Sequence, residues 1–345
     1  MELIEWFVTY VQWMLPTWLL HLLVRLNMAY FCFMMRRGDV VVRQIQIDRR
    51  DRKNRPVTTE VATTNEQLYG NDAAFFKAHL GPKLKYSACK FDEGDTLKEA
   101  EQKTIKEYQD KAGLKSLPDG SRVLELGCGW GSLSLENAVA FPKLQFVGFS
   151  NSPQQIEYIR GVIAERGIKN LVVHVEDYAD FVKPERSKVA PAGSPPFDCA
   201  IAIETIEHAQ NIEELLAAVA DRLKPGSSLF VQSLLHQCCS YLMDQTSWMG
   251  RNFFTGGSIL SLNSYFHLAP PNFRIVEVEP IYGIGYSKTL LAWLAKMEGA
   301  RPDLVKMYGR VFYEGFRMFY ISTAEAFAAN KGTEFMVAYY TFLKC

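Results

Sequence analysis

Val123-Leu124-Glu125-Leu126-Gly127-Cys128-Gly129-Trp130-Gly131 carries an apolar run straight into three glycines at alternate positions. The run reads as a buried strand, and the glycine turn opens a helix. Glycine there takes φ angles closed to other residues and lets the backbone approach a bound molecule. The dinucleotide fingerprint needs a third glycine three residues after the second. Ser132 stands at that position, which disfavours a pyrophosphate ligand.

Working outward, Arg122 to Leu126, Leu144 to Phe149, Leu171 to Val175, Phe197 to Ile203 and Ser228 to Ser233 are short apolar runs separated by helix-length segments. Strands alternating with helices predict parallel pairing in a three-layer α/β sheet. Asn211 with Glu214 forms a capping box, and Pro225-Gly226 is expected to end that helix. Four prolines between Lys183 and Pro196 mark a flexible surface insertion. Upstream, Arg43 to Thr64 reads as an exposed connector, and Ala73 to Leu80 and Thr96 to Ala112 as helices. Downstream, Thr255-Gly256-Gly257 reads as a turn, Lys288 to Met297 and Val305 to Asn330 as helices, and Phe335 to Leu343 as a strand closing the sheet edge. The chain thus divides into an N-terminal helical cap and connector (1–110), a core (111–240) and a C-terminal substrate-pocket extension (241–345).

With 38 basic and 38 acidic residues in 345, and 48% hydrophobic, the chain is globular and carries no global field for a nucleic-acid partner. Its seven cysteines are scattered without C-x-x-C pairs, so neither a metal site nor a disulfide framework is expected, and a reducing, cytoplasmic setting is the default. Trp6 to Met35 is strongly apolar. Gln12, Pro16, His21 and Arg25 oppose a membrane span, and Met1 to Glu5 lacks the basic start of a secretory signal. Two helices broken near Pro16 and packed over the domain are the first expectation, and a peripheral membrane contact through residues 6–35 is the second. A homodimer is left open.

An acid two residues before the first glycine, in E-x-G-x-G-x-G spacing, resembles motif I of the S-adenosylmethionine-dependent methyltransferases with a Rossmann-like, class I fold: a mostly parallel seven-stranded sheet with helices on both faces, preceded here by a helical cap. That resemblance implies S-adenosylmethionine as cofactor, lying over the glycine turn and the ends of the next strands. Ser150-Asn151-Ser152-Pro153-Gln154-Gln155 replaces the usual acid after the second strand. This run, with Asn65 to Tyr69, Leu80 to Ser87, Glu204 to His208, His236, Phe253 to Gly257 and Trp293 to Met297, is similar to the cyclopropane-fatty-acid synthases and the coclaurine-type N-methyltransferases. The resemblance covers about residues 60–345. It implies cofactor contacts from Tyr86, Ser87, Glu125, Gly127, Gly129, Ser150, Asn151, Gln155, Asp177, Tyr178 and Ile203, and acceptor contacts from Tyr69, His236, Phe253 and Phe254.

The two branches differ in the methyl acceptor, an alkene or an amine. Synthases commonly carry Cys directly after the Tyr-Ser pair, where its backbone helps hold bicarbonate; this chain has Ala88. They usually carry a small residue where this chain has Glu204, whereas the amine branch has Glu in the same Glu-x-x-Glu-His spacing. A small aromatic or alkaloid-like amine is therefore the expected acceptor, with a membrane-associated lipid methyltransferase as the alternative. An alkylamine must lose a proton before it can attack a methyl group. On one helical turn, Glu204, Glu207 and His208 would converge, the carboxylates attracting the ammonium and His208, with Glu207, taking its proton. Tyr69, Tyr86, Trp130 and Phe254 offer aromatic faces for a cation. Read without the resemblance, the acidic pair and His form an ordinary solvated first turn, His236 a satisfied histidine, and Trp130 and Phe253 packing.

Overall fold

The structure, a computed structural model, describes residues 6–7, 10–48, 52–59, 73–243 and 246–345. Five strands, β1 (Arg122–Leu126), β2 (Gln145–Ser150), β3 (Leu171–Val175), β4 (Phe197–Ile203) and β5 (Leu223–His236), lie parallel in the order β3-β2-β1-β4-β5. Two short strands follow, β6 (Tyr241–Leu242) and β7 (Ser258–Ser261), the latter pairing with Leu235 and His236 at the far end of β5. On the other side of β5 lies β9 (Phe335–Lys344), antiparallel to it and to β8 (Phe273–Tyr282). The seven long strands therefore run β3-β2-β1-β4-β5-β9-β8, with β9 alone reversed.

The strand expected at the sheet edge is thus an interior one. β9 buries nearly every side chain from Phe335 to Tyr340, while β8 takes the edge and exposes Arg274, Glu277 and Pro280. Charges and a proline suit an edge that must not recruit another chain. They also hide β8 from a reading of apolar runs.

Helices α1 (Thr17–Met35), α2 (Val40–Gln46), α3 (Ala73–His79) and α4 (Leu97–Lys111) precede the sheet. Its strands are connected by α5 (Ser132–Ala140), α6 (Pro153–Arg166), α7 (Tyr178–Phe181) and α8 (Ile212–Asp221). Then come α9 (Trp248–Asn252), α10 (Ser264–Leu268), α11 (Ile284–Gly299), α12 (Arg301–Tyr308) and α13 (Arg310–Gly332). Alternation along the strands builds two cores. Leu124, Leu126, Ala200 and Ala202 face Leu215, Leu216 and Val219 of α8, whereas Val123, Phe146, Cys199 and Ile201 cluster with Tyr108 of α4, Leu133 of α5 and Ile156 and Ile159 of α6. A third, aromatic core joins Leu20 and Cys32 of α1 to Phe75, Phe76, Trp130, Trp293, Phe316 and Tyr320. The break before α1 falls at Pro16, its N-cap.

Three segments differ from their sequence reading. Pro225-Gly226 does not end α8; it lies within β5, at the irregularity between the Phe197–Leu223 and Cys199–Ser228 pairs, with Gly226 at φ +81°. The single helix expected from Val305 to Asn330 is divided by Gly309, at φ +85°, into α12 and α13. The described part of the connector is docked: Gln44, Asp48 and Arg52 are buried, Gln44 donates to Ser261 Oγ, and Arg52 Nε donates to Asp48 at 3.3 Å. Such a segment is held by polar partners that only the fold brings near, so its composition reads as solvent-facing.

The proline-rich insertion is likewise tied down. Buried Glu176, just past β3, accepts from Ser187 Oγ (2.6 Å), Lys188 N (2.7 Å) and Val189 N (2.9 Å). Replacing Glu176 with Ala strips three donors of their acceptor. The expected result is faster amide exchange across residues 187–190 and a stability loss of about 1–3 kcal/mol; unchanged exchange there in a deuterium-uptake experiment contradicts this anchoring.

Candidate active site

The sheet order turns back at β1, which lies between β2 and β4, and a cavity opens beyond the C-terminal strand ends at that point. This is where open α/β sheets bind ligands. Its floor is the glycine turn. Gly127 and Gly129 adopt φ of +64° and +52°. A Cβ on Gly127 would stand 2.0 Å from Thr205 Oγ1, whereas at Gly129 nothing lies within 4 Å of that position, leaving bare backbone open to a ligand. Beneath the turn Glu125 accepts a hydrogen bond from Ser134 Oγ, and burial pushes its pKa up to about 7.

The side walls are set by helix caps. Ser150 Oγ donates to Gln155 Oε1 (2.7 Å), and Ser152 caps α6. Asp177 caps α7, accepting from Ala179 N (2.8 Å) and from Thr58 Oγ1 of the connector (2.6 Å). Tyr178 and Thr205 share a hydroxyl hydrogen bond of 2.5 Å. All eleven residues named above as cofactor contacts, from Tyr86 to Ile203, line this one cavity. The residues fit S-adenosylmethionine: a bare glycine floor and acidic and amide side chains offer acceptors and donors to a cationic, hydroxyl-bearing molecule.

Glu204 forms the opposite wall. It follows β4 directly with φ +47°, a left-handed conformation that is unfavourable for a side chain with a Cβ. Two hydrogen bonds hold it there: its N–H donates to Gln232 O (2.8 Å), and its Oε1 accepts from the Ala88 N–H (3.0 Å). Gln232 Nε2 donates to the same oxygen (2.5 Å), and Tyr286 supplies a further hydrogen bond. Gln232 is oriented in turn by the Tyr108 hydroxyl, which donates to its Oε1 (2.6 Å). Nearby Lys85 is buried, donating to Ser87 Oγ (2.7 Å) and to Ala88 O, with its ammonium 5.1 Å over the Tyr108 ring. Burial raises the Glu204 pKa; Lys85 and the three donors oppose that rise without cancelling it. His208 reaches the same cavity with its ring 5.2 Å from that of Phe254, and burial pushes its pKa down to about 4.

The helical turn expected to converge Glu204, Glu207 and His208 does not form. A 3₁₀ turn, Ile206–His208, begins only after Glu204, and Glu207 points away from the cavity. It is 1% exposed, accepts from Ser233 Oγ and from Leu234 N (2.7 Å), and burial pushes its pKa up to about 8. At neutral pH it therefore carries a proton most of the time and supplies little of the expected negative charge.

Other expected acceptor contacts also lie elsewhere. His236 is fully buried at the end of β5, with Nε2 3.1 Å from Glu334 and Nδ1 accepting from the Cys238 and Cys239 amides at 3.2 and 3.1 Å. These two cysteines and His236 approach within 4.8 Å, a grouping overlooked in the scattered-thiol reading, but the ring nitrogen is already engaged and the Cys239 thiol is pushed up to about 11 by burial. Phe253 stacks on Phe319 at 4.5 Å in the aromatic core, and neither it nor Phe254 lines the cavity. Tyr69 and the Asn65-to-Tyr69 motif lie outside the described residues. Conversely, Lys85, Tyr108, Gln232 and Tyr286 were not anticipated. Lys85 alone left a signal, as a lysine inside the Leu-Lys-Tyr-Ser segment.

Comparison with known proteins agrees with this geometry. The family model described as mycolic acid cyclopropane synthetase matches residues 53–335. (S)-coclaurine N-methyltransferase of Papaver somniferum is 29% identical over 85% of this chain and 84% of its own length, and cyclopropane-fatty-acyl-phospholipid synthase of Escherichia coli K12 is 28% identical over 76% and 63%. Among solved structures, coclaurine N-methyltransferase bound to N-methylheliamine and SAH superposes with a TM-score of 0.87 at 24% identity, covering 99% of both chains, and the cyclopropane synthase MmaA2 of Mycobacterium tuberculosis with 0.69 at 19%, covering 84% and 100%. The chain belongs to the mycolic acid cyclopropane synthetase family and is an S-adenosylmethionine-dependent methyltransferase.

Proposed function

We propose that this methyltransferase methylates the nitrogen of a small, lipophilic amine of the tetrahydroisoquinoline kind. One observation carries the reading: the Ala88 N–H donates to the Glu204 carboxylate at 3.0 Å. In the alkene branch the resemblance assigns the backbone at this position to bicarbonate. Here the protein's own carboxylate occupies that donor, and a fixed anion at the cavity wall suits a cationic acceptor. The names and bound ligand of the relatives support the same choice.

Bound S-adenosylmethionine supplies a methyl group on a sulfonium centre. Glu204 attracts and orients the ammonium of the arriving amine. His208, neutral above about pH 4, has a basic nitrogen able to take the amine proton. The cavity walls would place the free amine in line with the methyl group of a bound cofactor, and that placement would account for much of the acceleration. Glu207 acts through position: by accepting from Ser233 and Leu234 it fixes the turn that carries His208. A lipid acceptor is the second reading, favoured by the exposed apolar N-terminal helix.

A panel of amines and phospholipids assayed with labelled cofactor tests the acceptor. His208→Ala should lower kcat by about 10²-fold or more, the contribution of a general base, while Glu204→Gln should chiefly raise KM for the amine; calorimetry should find cofactor affinity unchanged in both. Wild-type turnover in both variants overturns the assignment, and labelled phospholipid without labelled amine overturns the acceptor.

The low His208 pKa is directly measurable. Nitrogen NMR of labelled histidine should find this ring neutral from pH 5 to 8, and a midpoint above 6 contradicts the site electrostatics.

Glu207 has the opposite shift. Its folded-state pKa, near 8, exceeds the ordinary carboxylate value, so its contribution is fully present at acidic pH and lost as pH rises through 8. Glu207→Gln should therefore gain on wild type in melting temperature between pH 5 and pH 9. A constant difference across that range shows that Glu207 is ionised throughout.

A further inference from the structure

Among the described residues, 14 of the 23 large apolar side chains left exposed fall within the first 45 positions. They are ordered along the helix. Trp18, Leu22, Leu26, Tyr30 and Phe33 of α1 are 67%, 44%, 62%, 63% and 62% exposed, and their spacing of four, four, four and three residues makes one continuous stripe. Arg37 follows at the next step, its guanidinium 5.8 Å from the Phe33 ring. Beyond it, Val41, Val42 and Ile45 of α2 continue the apolar surface at 63%, 59% and 39% exposure. At the other end Trp13 is covered on one face by Arg310 at 4.5 Å, and Met307 and Val311 beside that arginine are also exposed.

The opposite side of α1 is bound to the protein. Leu20 and Cys32 enter the aromatic core. His21 Nδ1 and Arg25 Nε lie 2.7 and 2.9 Å from the Glu325 carboxylate, and Arg36 Nη2 lies 2.7 Å from Glu334. Gln12 Nε2 donates to Glu314 O at 2.7 Å. A segment fastened from Gln12 to Arg36 cannot stand across a bilayer without tearing these contacts, although α1 is long and apolar enough to span one.

We infer that α1 and α2 form an in-plane docking face for a phospholipid bilayer, with the Trp18-to-Phe33 stripe seated among the upper acyl chains and Arg37 and Arg43 at the phosphate level. Charge supports lipid over a second copy of the chain. Of the four arginines from Trp6 to Ile47, Arg25 and Arg36 are paired with Glu325 and Glu334, which leaves Arg37 and Arg43 against one acid, Asp39, where α1 passes into α2, a basic flank to the stripe that suits an anionic headgroup layer better than its own copy. Tryptophan and tyrosine on the stripe suit the boundary between headgroups and acyl chains. The inference holds whether the methyl acceptor is an amine or a lipid.

The test is flotation of the full chain with phosphatidylcholine vesicles, with and without phosphatidylserine. Wild type should float with the vesicles, more so with phosphatidylserine and less at high salt. A Leu22→Glu, Leu26→Glu double variant should partition at least about tenfold more weakly, with unchanged turnover of a soluble acceptor. Failure of wild type to float on either vesicle overturns the inference, as does undiminished flotation of the double variant. Light scattering that finds a wild-type dimer, reduced to monomer by the two substitutions and blind to vesicles, assigns the face to a second copy instead. Wild type that resists alkaline extraction from the vesicles identifies a span and also overturns it.

Discussion

The position of the Glu204 carboxylate is the constraint that ties the site to the fold. Pairing of β4 with β5 sets Gln232 beside Ile203, so that the Gln232 carbonyl catches the Glu204 amide and its side chain catches the Glu204 carboxylate. The second donor to that oxygen, the Ala88 amide, arrives on the loop before α4, and Tyr108 of α4 orients Gln232. Strand, cap and helix therefore meet at one oxygen atom. A left-handed residue with a long side chain costs about 1–3 kcal/mol unless its surroundings determine it, and these hydrogen bonds do so.

That arrangement divides the charges of the cavity by environment. Burial raises the Glu204 pKa, and its donors and nearby buried Lys85 oppose that rise in part. Glu207, three residues on, has two donors on one oxygen, and burial pushes its pKa up to about 8. Burial of the His208 ring pushes its pKa down to about 4, which favours the neutral imidazole. Adjacent residues of similar sequence character thus lie in different environments, and the roles proposed for them, an anchor for the ammonium, a positioning group and a base, follow that division.

The alternation of apolar runs made the five parallel strands and the glycine turn legible, because strands covered on both faces need unbroken apolar character. The cofactor residues were readable for a related reason: they stand at strand ends, in short motifs whose order is local. What escaped was long-range and polar. β8 reads as charged because an edge must be; Asp48, Arg52 and Glu176 look solvated until the fold supplies partners; Gln232 and Tyr108 lie in ordinary strand and helix surroundings. Spacing implied one turn for Glu204, Glu207 and His208, but a left-handed residue at the strand end breaks that periodicity, and nothing in a Glu at position 204 announces it.

In the proposed function, the Glu204 carboxylate at the wall of the methyl-donor cavity selects a nitrogen acceptor. The most direct measurement supplies methyl-¹³C cofactor to the enzyme in one vessel containing a tetrahydroisoquinoline and unsaturated phospholipid vesicles, and follows the label by NMR. Label appearing as an N-methyl group on the amine is the result predicted. Label appearing in a cyclopropane ring of the lipid, with the amine untouched, contradicts it.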